Sequence, residues 1–397
     1  MLICLFLIVL CQTVIGLYLT RDIFAPWIIG SSLWVAILLL FEIVPNNYYP
    51  VNDHFIPSLL LWTTGFFISS IWSYTRTRDA SPAEQKAVPN EQIVRLYYFF
   101  SFAIAPIIVG VTVYIAVTED PENVFRYLRI MNTGMDENIE APDFGPAMNI
   151  VSVAYVSMFF ALVYSKSKAL IASLLVLNFL LAFITMSKTS FLCILFASLY
   201  VLYIKKKVTV KHIAFCLVGF ALFSIVLNGL RASSSGDGSE SEGDNIFAMY
   251  LLSSTVAYDH FTEPCSSHEP GERTFRLAYA LQSALGADVE VADVILPWVE
   301  VPGPTNTYTV MYPFYQDFGL CGVLVFSIVY GLFFGYLYRK SSSGGKTATI
   351  LYAVFVTFLV LAFIGEFIFT NLSQSIQYVI IALLPFLIQR RLVLWGK

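Results

Sequence analysis

Two arginines three residues apart, Arg273 and Arg276, lie in GERTFRLAYALQSALG, a stretch of helix formers bracketed by Gly271 and Gly286. On a helix they share a face with Ala280 and Ser283, which sets two guanidinium forks one turn apart over small side chains. Such a pair suits an oxyanion, because each planar fork can meet two oxygens at once. Arg231 closes a long apolar run, and Lys188 falls in a very short turn between two others. Both would stand at headgroup depth, where a lipid-linked phosphate is found, although snorkelling alone would also place a long cation there. Arg231, Arg273 and Arg276 together read as an anion site. Arg126 and Arg129 stand among many acids, where a solvated loop tolerates charge freely.

Among the acids, Asp317 in YQDFG directly precedes an apolar run, where a helix cap is the plain reading. Glu42 and Glu366 fall near the ends of apolar runs, as functional groups or as side chains reaching the interface. His54, His260 and His268 read as incidental loop residues, and the neighbours Asp53–His54 and Asp259–His260 have no triad spacing. The sequence has no H-E-x-x-H, no D-x-D, no phosphate-binding glycine loop and no nucleophile elbow, so no motif points to a metal or another cofactor. Five of the six cysteines (Cys4, Cys11, Cys193, Cys216, Cys321) lie in or beside apolar runs, leaving Cys265 alone in a loop. That pattern gives neither a disulfide framework nor zinc spacing.

The elements that must position these residues are membrane-spanning. Of 397 residues 57% are hydrophobic and 13% charged, with a mean hydropathy of +0.72, far too little polar surface for a soluble chain of this length. Apolar runs of about the roughly 20 residues needed to cross a bilayer fall at 2–19, 26–44, 56–74, 96–117, 147–164, 169–186, 190–204, 212–230, 319–338, 348–369 and 373–387. The fold class expected is an all-α polytopic membrane protein of about 11 transmembrane helices. The first run lacks a basic start and a small-residue cleavage site, so it reads as a retained helix and not a signal peptide.

Orientation follows from Lys and Arg. Seventeen of the 23 fall in every second loop and at the C-terminus, from Arg21, through Arg76, Arg78, Lys86, Arg95, Lys166, Lys168, Lys205, Lys206, Lys207 and Lys211, to Arg339, Lys340, Lys346, Arg390, Arg391 and Lys397. The other six are Arg126, Arg129, Lys188, Arg231, Arg273 and Arg276. The alternation places the first set in the cytoplasm and the second outside, with most of the acids. The net charge of −4 therefore carries no meaning as a single value, and no nucleic-acid partner is suggested.

The chain then divides into helices one to eight (1–230, with an exterior loop at 118–145), a large exterior loop (231–318) and helices nine to eleven (319–397). The large loop opens with ASSSGDGSESEGD (232–244), a solvated linker by composition. An apolar segment, the arginine stretch and a proline-rich segment follow it. No internal repeat is present.

NTYT (306–309), YQDFGLCG (315–322) and GLFFG (331–335) resemble the C-terminal signature of the bacterial Wzy-type O-antigen polymerases, and TMSKTSFLCILF (185–196) resembles a helix entry of the polymerase and O-antigen ligase group, with Lys188 where an Arg is usual. The resemblance implies a C-type glycosyltransferase fold with one large periplasmic loop, in the bacterial inner membrane. It implies metal-independent joining of undecaprenyl-diphosphate-linked oligosaccharide units, donor and acceptor both lipid-linked, with a chain-length regulator as a further partner. Arg231, Arg273 and Arg276 would neutralise the leaving diphosphate, with Lys188 assisting. Asn306, Tyr308 and Tyr315 would orient sugars. Asn306 stands where the ligases often have a His, and an amide is no base at neutral pH, so Asp317 becomes the candidate base or a positioning group. An O-antigen ligase is the nearest competing reading, and the missing His argues against it. A lipid-linked oligosaccharide flippase would show paired ionisable groups at mid-membrane and internal repeats, and neither is seen.

Overall fold

The computed structural model describes residues 1–43, 50–51, 54–132, 139, 142–232, 246–301 and 303–395, and for 228–232, 246–250 and 389–395 the backbone alone. The linker at 233–244 lies outside the described residues, as does Pro302.

A backbone without water must close its hydrogen bonds internally, and the apolar runs do so as helices. In chain order these are α1 (Leu2–Thr20), α2 (Pro26–Ile43), α3 (Phe55–Arg76), α4 (Pro82–Gln85), α5 (Glu91–Glu119), α6 (Val124–Met131), α7 (Ile150–Tyr164), α8 (Lys168–Ile184), α9 (Lys188–Ile204), α10 (Val210–Ala232), α11 (Ile246–Phe261), α12 (Arg276–Ala284), α13 (Tyr312–Ser342), α14 (Lys346–Val360) and α15 (Leu372–Trp395). A small antiparallel pair, β1 (Val299–Val301) with β2 (Gly303–Thr305), joins Val299 to Thr305 and Glu300 to Pro304. Among the described residues eight helices are long and apolar enough to cross a bilayer, and three shorter apolar ones, α8, α9 and the start of α15, complete the eleven expected runs. The chain is an all-α, multi-pass membrane protein.

It divides into two compact units, each gathered from distant stretches of chain. The first comprises Met1–Ala80, Ser241–Ser343 and Phe358–Ile376. Its spine is α13 packed along α3. A Cβ on Gly331 would strike Ser69 Oγ and the Phe66 carbonyl, one on Gly335 would strike the Ser70 carbonyl, and one on Gly65 would strike Ser327 Oγ. The GLFFG string is thus a close-approach face, small residues meeting small residues, which is how helices associate where lipid offers no hydrophobic drive. Ser73 Oγ donates to the Leu332 carbonyl at 2.8 Å across the same seam.

Helix α13 breaks at Gly319, whose φ of 61° and ψ of −153° only glycine adopts freely. The short first half, through Phe318, packs so closely over Gly322 that a Cβ there would meet the Phe314 carbonyl. The carbonyls freed by the break are taken up from outside: Cys265 N donates to Tyr315 O at 3.3 Å and Ser266 N to Gln316 O at 2.9 Å.

The expected run 348–369 is not one helix. After α14 a single 3₁₀ turn, Leu361–Phe363, gives way to irregular chain up to α15. The physical reason is Glu366, whose buried carboxylate accepts from Ile368 N (2.7 Å), Phe369 N (2.9 Å) and Thr370 N (2.7 Å), and from the Tyr330 hydroxyl. Val310 N and Ser254 Oγ satisfy the Ala362 and Phe363 carbonyls at 2.8 and 2.5 Å. Irregular backbone at this depth is tolerated because protein groups replace the missing helix bonds.

The second unit comprises Ser81–Glu240, Gly344–Thr357 and Gln377–Lys397. Its core joins Ala105 and Ile108 of α5, Ile150 and Ala154 of α7, and Leu177, Leu181 and Ile184 of α8. Asn178 is buried there and donates to the Ala154 and Leu174 carbonyls at 3.1 and 2.8 Å. Pro385 inside α15 cannot donate to the Ile381 carbonyl, and the Tyr97 hydroxyl takes that place at 3.2 Å.

Candidate functional site

Residues 269–275 and 305–318 of the first unit hold most of the sequence-predicted site residues. Asp317, the second-to-last residue before the break in α13, is buried and faces the arginine stretch. One carboxylate oxygen accepts from Ser267 Oγ at 2.5 Å and from Arg273 N at 3.5 Å, the other from Thr274 N at 2.8 Å. That capture changes the local fold. The spacing predicts a helix over 271–286 with both arginines on one face; instead α12 begins at Arg276, and Arg273 belongs to a turn entered through Gly271 at φ +84°. Any side chain at Gly271 would press on Phe275 and Phe318. Phe275 anchors the turn on Phe318, Phe326 and Phe369, at ring separations of 6.4, 6.0 and 6.4 Å.

The two arginines therefore have different surroundings. Arg276 Nε donates to the Ala292 carbonyl at 2.6 Å, tying α12 to the chain that follows it. The Arg273 guanidinium carbon stands 5.7 Å from the centre of the Tyr312 ring, and its Nε is buried with no hydrogen-bond acceptor. Among the described residues neither arginine forms an ion pair. Thr274 Oγ1, Thr309 Oγ1 and Gln316 Oε1, on the same two stretches of chain, are also buried without partners. Each such group costs about 1–3 kcal/mol if it stays unmet.

Tyr308 is buried in the same region, 4.5 Å ring to ring from Tyr312, with its hydroxyl donating to the Pro297 carbonyl at 3.2 Å. Burial raises the Tyr308 pKa well above that of a free phenol, Tyr312 adds to the rise, and the charge of Arg273 opposes it. The Tyr279 phenol is likewise pushed up, first by burial and then by Glu269, Asp317 and Glu272. Asn306 is half-buried, and among the described residues its amide has no hydrogen-bond partner.

The structure brings Arg273, Tyr308 and Asp317 into one neighbourhood. Tyr315 points elsewhere: its hydroxyl meets His54 Nδ1 at 2.8 Å, while Asp259 Oδ1 accepts from the His54 and Phe55 backbone N–H groups at 2.9 and 2.8 Å and caps α3. His54 is thus a titratable partner of a site residue. Nothing in the local sequence marks it, because its contact lies 261 residues away with no spacing to announce it. Lys188 and Arg231 belong to the second unit. Lys188 is the first residue of α9 and is buried, behind a turn braced by Thr185, Ser187 and Thr189 hydroxyls. Arg231 is in the last turn of α10, and its side chain lies outside the described residues. Glu366, considered a functional acid, has its carboxylate filled by the turn it caps.

The O-antigen polymerase family model matches residues 1–364. The chain belongs to the O-antigen polymerase family. An O-antigen polymerase of Shigella dysenteriae is 27% identical over 183 residues, a stretch that covers 44% of this chain and 46% of that protein. No solved structure matches. Within this family setting, NTYT and YQDFG have distinct physical jobs here: the first carries the half-buried Asn306 and the buried Tyr308, the second the carboxylate that bends the arginine turn.

Proposed function

We propose that this protein is a glycosyltransferase-type polymerase that joins undecaprenyl-diphosphate-linked oligosaccharide units at the periplasmic face of the bacterial inner membrane. The observation that carries the reading is the buried Nε of Arg273, which among the described residues has no acceptor, with Thr274 Oγ1, Thr309 Oγ1 and Gln316 Oε1 also unmet on the same two stretches of chain. A guanidinium that forms no ion pair among the described residues and keeps a buried N–H unmet is well suited to an anionic substrate group. In the reaction a sugar hydroxyl of one lipid-linked unit attacks the anomeric carbon of the growing chain. The new glycosidic C–O bond forms as the bond to diphosphate breaks, and polyprenyl diphosphate leaves with that electron pair. The hydroxyl proton passes to a base or to the departing diphosphate itself.

In this reading Arg273 meets the developing charge, with Arg276 as a further cation; Lys188 and Arg231, which the sequence groups with them, belong to the second unit. Asn306 and Tyr308 orient sugar hydroxyls, while the Tyr315 hydroxyl is engaged by His54. Asp317 acts as a positioning group, since its oxygens are already engaged in holding the Arg273 turn. The sequence has no D-x-D, and the family resemblance implies a mechanism without metal; fixed guanidinium charge would then take the place of a divalent ion. A chain-length regulator is a further protein partner implied by that resemblance.

The test is genetic and chemical together. Deleting the gene should reduce the lipopolysaccharide ladder to core plus one unit; core alone would instead identify a ligase or flippase. With purified lipid-linked units, Arg273→Ala should lower chain growth by on the order of 10²–10³, as for loss of one oxyanion donor, and Arg273→Lys should restore only part of it. Normal ladders from a well-expressed Arg273→Ala variant would remove the site.

A further inference from the structure

Three helices of the second unit leave a gap that none of the preceding chemistry uses. Along α8, Phe179 and Phe183 share a face; along α10, Gly219, Phe220 and Phe223 share another; and Phe191 stands between them on α9. Together they line a groove of about 520 Å³, within the roughly 300–1,000 Å³ typical of ligand sites. Its floor is an aromatic ladder: Phe191 stacks on Phe179 at 5.9 Å and meets Phe223 edge-on at 4.9 Å. Its opening is made by Gly219, since a Cβ built there would have no atom within 4 Å. Phe179 and Phe223 remain more than a third exposed, so the groove opens outward.

The end of the groove is not apolar. Phe183 is the second-to-last residue of α8, and α6 lies over it, through an edge-on contact of Phe125 with Phe183 at 5.9 Å and a hydrogen bond from Asn132 Nδ2 to the Ile184 carbonyl at 3.2 Å. The short helix α6 buries Leu128 and Met131 and carries Arg126 and Arg129, with Arg126 exposed and making no ion pair among the described residues. Lys188, the first residue of α9, stands one turn before Phe191. An aromatic groove thus ends under a helix bearing two arginines.

We infer that this groove seats the polyprenyl tail of one lipid-linked substrate, with its diphosphate drawn to the cations at the α6 end. The inference rests on the polymerase reading for the identity of the lipid. Three observations favour a polyprenyl diphosphate over a bilayer phospholipid. The walls are mostly phenyl faces, which pack against a methyl-branched chain at many points. Lipid tails are as apolar as the groove, so retention must come from such shape-specific contact and not from a hydrophobic drive. A chain stiffened by double bonds also loses less freedom on seating than a saturated acyl chain. Finally, the cations at one end match a diphosphate, which carries more charge than a phosphodiester headgroup.

The experiment separates this site from the polymerase reading by measuring binding without turnover. The full-length protein, with Val176 at the groove rim replaced by p-benzoylphenylalanine, is reconstituted in vesicles of phosphatidylethanolamine and phosphatidylglycerol containing 1 part in about 100 of undecaprenyl diphosphate without sugar, a dilution that makes chance contact with it rare. Illumination should crosslink undecaprenyl diphosphate far above its share of the lipid. Adding Gly219→Phe, which fills the groove without meeting another atom at its Cβ, should lower that crosslink roughly tenfold by removing the packed contacts. Gly110→Phe, at another open position on α5, should not. A second arm measures chain growth: Gly219→Phe should raise KM for the full-length donor and leave a donor with a single isoprene unit unaffected. Crosslinking of phospholipid in proportion to its abundance, or a Gly219→Phe crosslink equal to that of the unfilled groove, overturns the inference. Polymerisation failing in the wild type while the crosslink persists would fault the reaction and keep the site.

Discussion

Asp317→Asn separates the two jobs a buried carboxylate at this position can do. In the native protein it accepts from Ser267 Oγ at 2.5 Å and Thr274 N at 2.8 Å, and weakly from Arg273 N at 3.5 Å. An asparagine keeps one acceptor oxygen, enough for the Thr274 N–H, and its amide nitrogen can donate to a Ser267 hydroxyl that has rotated to accept. The Ser267 and Thr274 pairings survive, while the charge and the long Arg273 N–H contact are lost. Hydrogen bonds to charged groups contribute about 1.5–3 kcal/mol and neutral ones about 0.5–1.5, so the turn holding Arg273 loses on the order of 1–2 kcal/mol. If positioning is the whole role, chain growth falls about tenfold. Loss of a general base would cost about 10²–10⁴-fold. Asp317→Ala, which strands the buried Thr274 N–H and the Ser267 hydroxyl, should be worse than Asn by about 1–3 kcal/mol. The assay is the initial rate of chain growth by purified protein in nanodiscs, with thermal unfolding run beside it. The expected order is wild type, then Asn within about tenfold, then Ala. A thousandfold loss in the Asn variant with an unchanged unfolding temperature refutes the positioning role and makes Asp317 the base.

Gly335→Ala places a Cβ against the Ser70 carbonyl and should cost about 1–3 kcal/mol by forcing α3 and α13 apart, whereas Gly110→Ala, with open space around it, should be neutral or slightly stabilising; thermal unfolding in one detergent compares them. Reporters fused after Lys207 or Lys340 should read cytoplasmic, and one inserted within 233–243 should read periplasmic. A cytoplasmic signal from that insertion would invert the orientation. Chain growth by the purified protein should persist in EDTA, and loss on chelation with recovery on adding Mg²⁺ would end the metal-free mechanism.

What was legible in the sequence was whatever the membrane dictates locally. The eleven apolar runs became helices, one of them only in part, because their backbone had no other way to be satisfied. The run from 348 to 369 was misread in extent for a reason hydropathy cannot carry. Glu366 gathers three backbone N–H groups and the Tyr330 hydroxyl, and Ser254, more than a hundred residues away, satisfies the Phe363 carbonyl. The arginine pair failed on one face for the same kind of reason. Its helix formers would have continued the helix back to Gly271, but Asp317, 43 residues on, accepts the Thr274 N–H that a longer helix would have used. Tyr315 and His54 meet across 261 residues, so neither side of that contact carries a local signal. In each case a buried acid or phenol overrode local propensity by offering a hydrogen bond where water could not. Of the candidate acids Asp317, Glu42 and Glu366, the first and last are spent on shaping backbone. Among the described residues of this region the cation with an unmet buried donor is Arg273, and under the proposed function the acids build the turn while the arginine is left for the substrate.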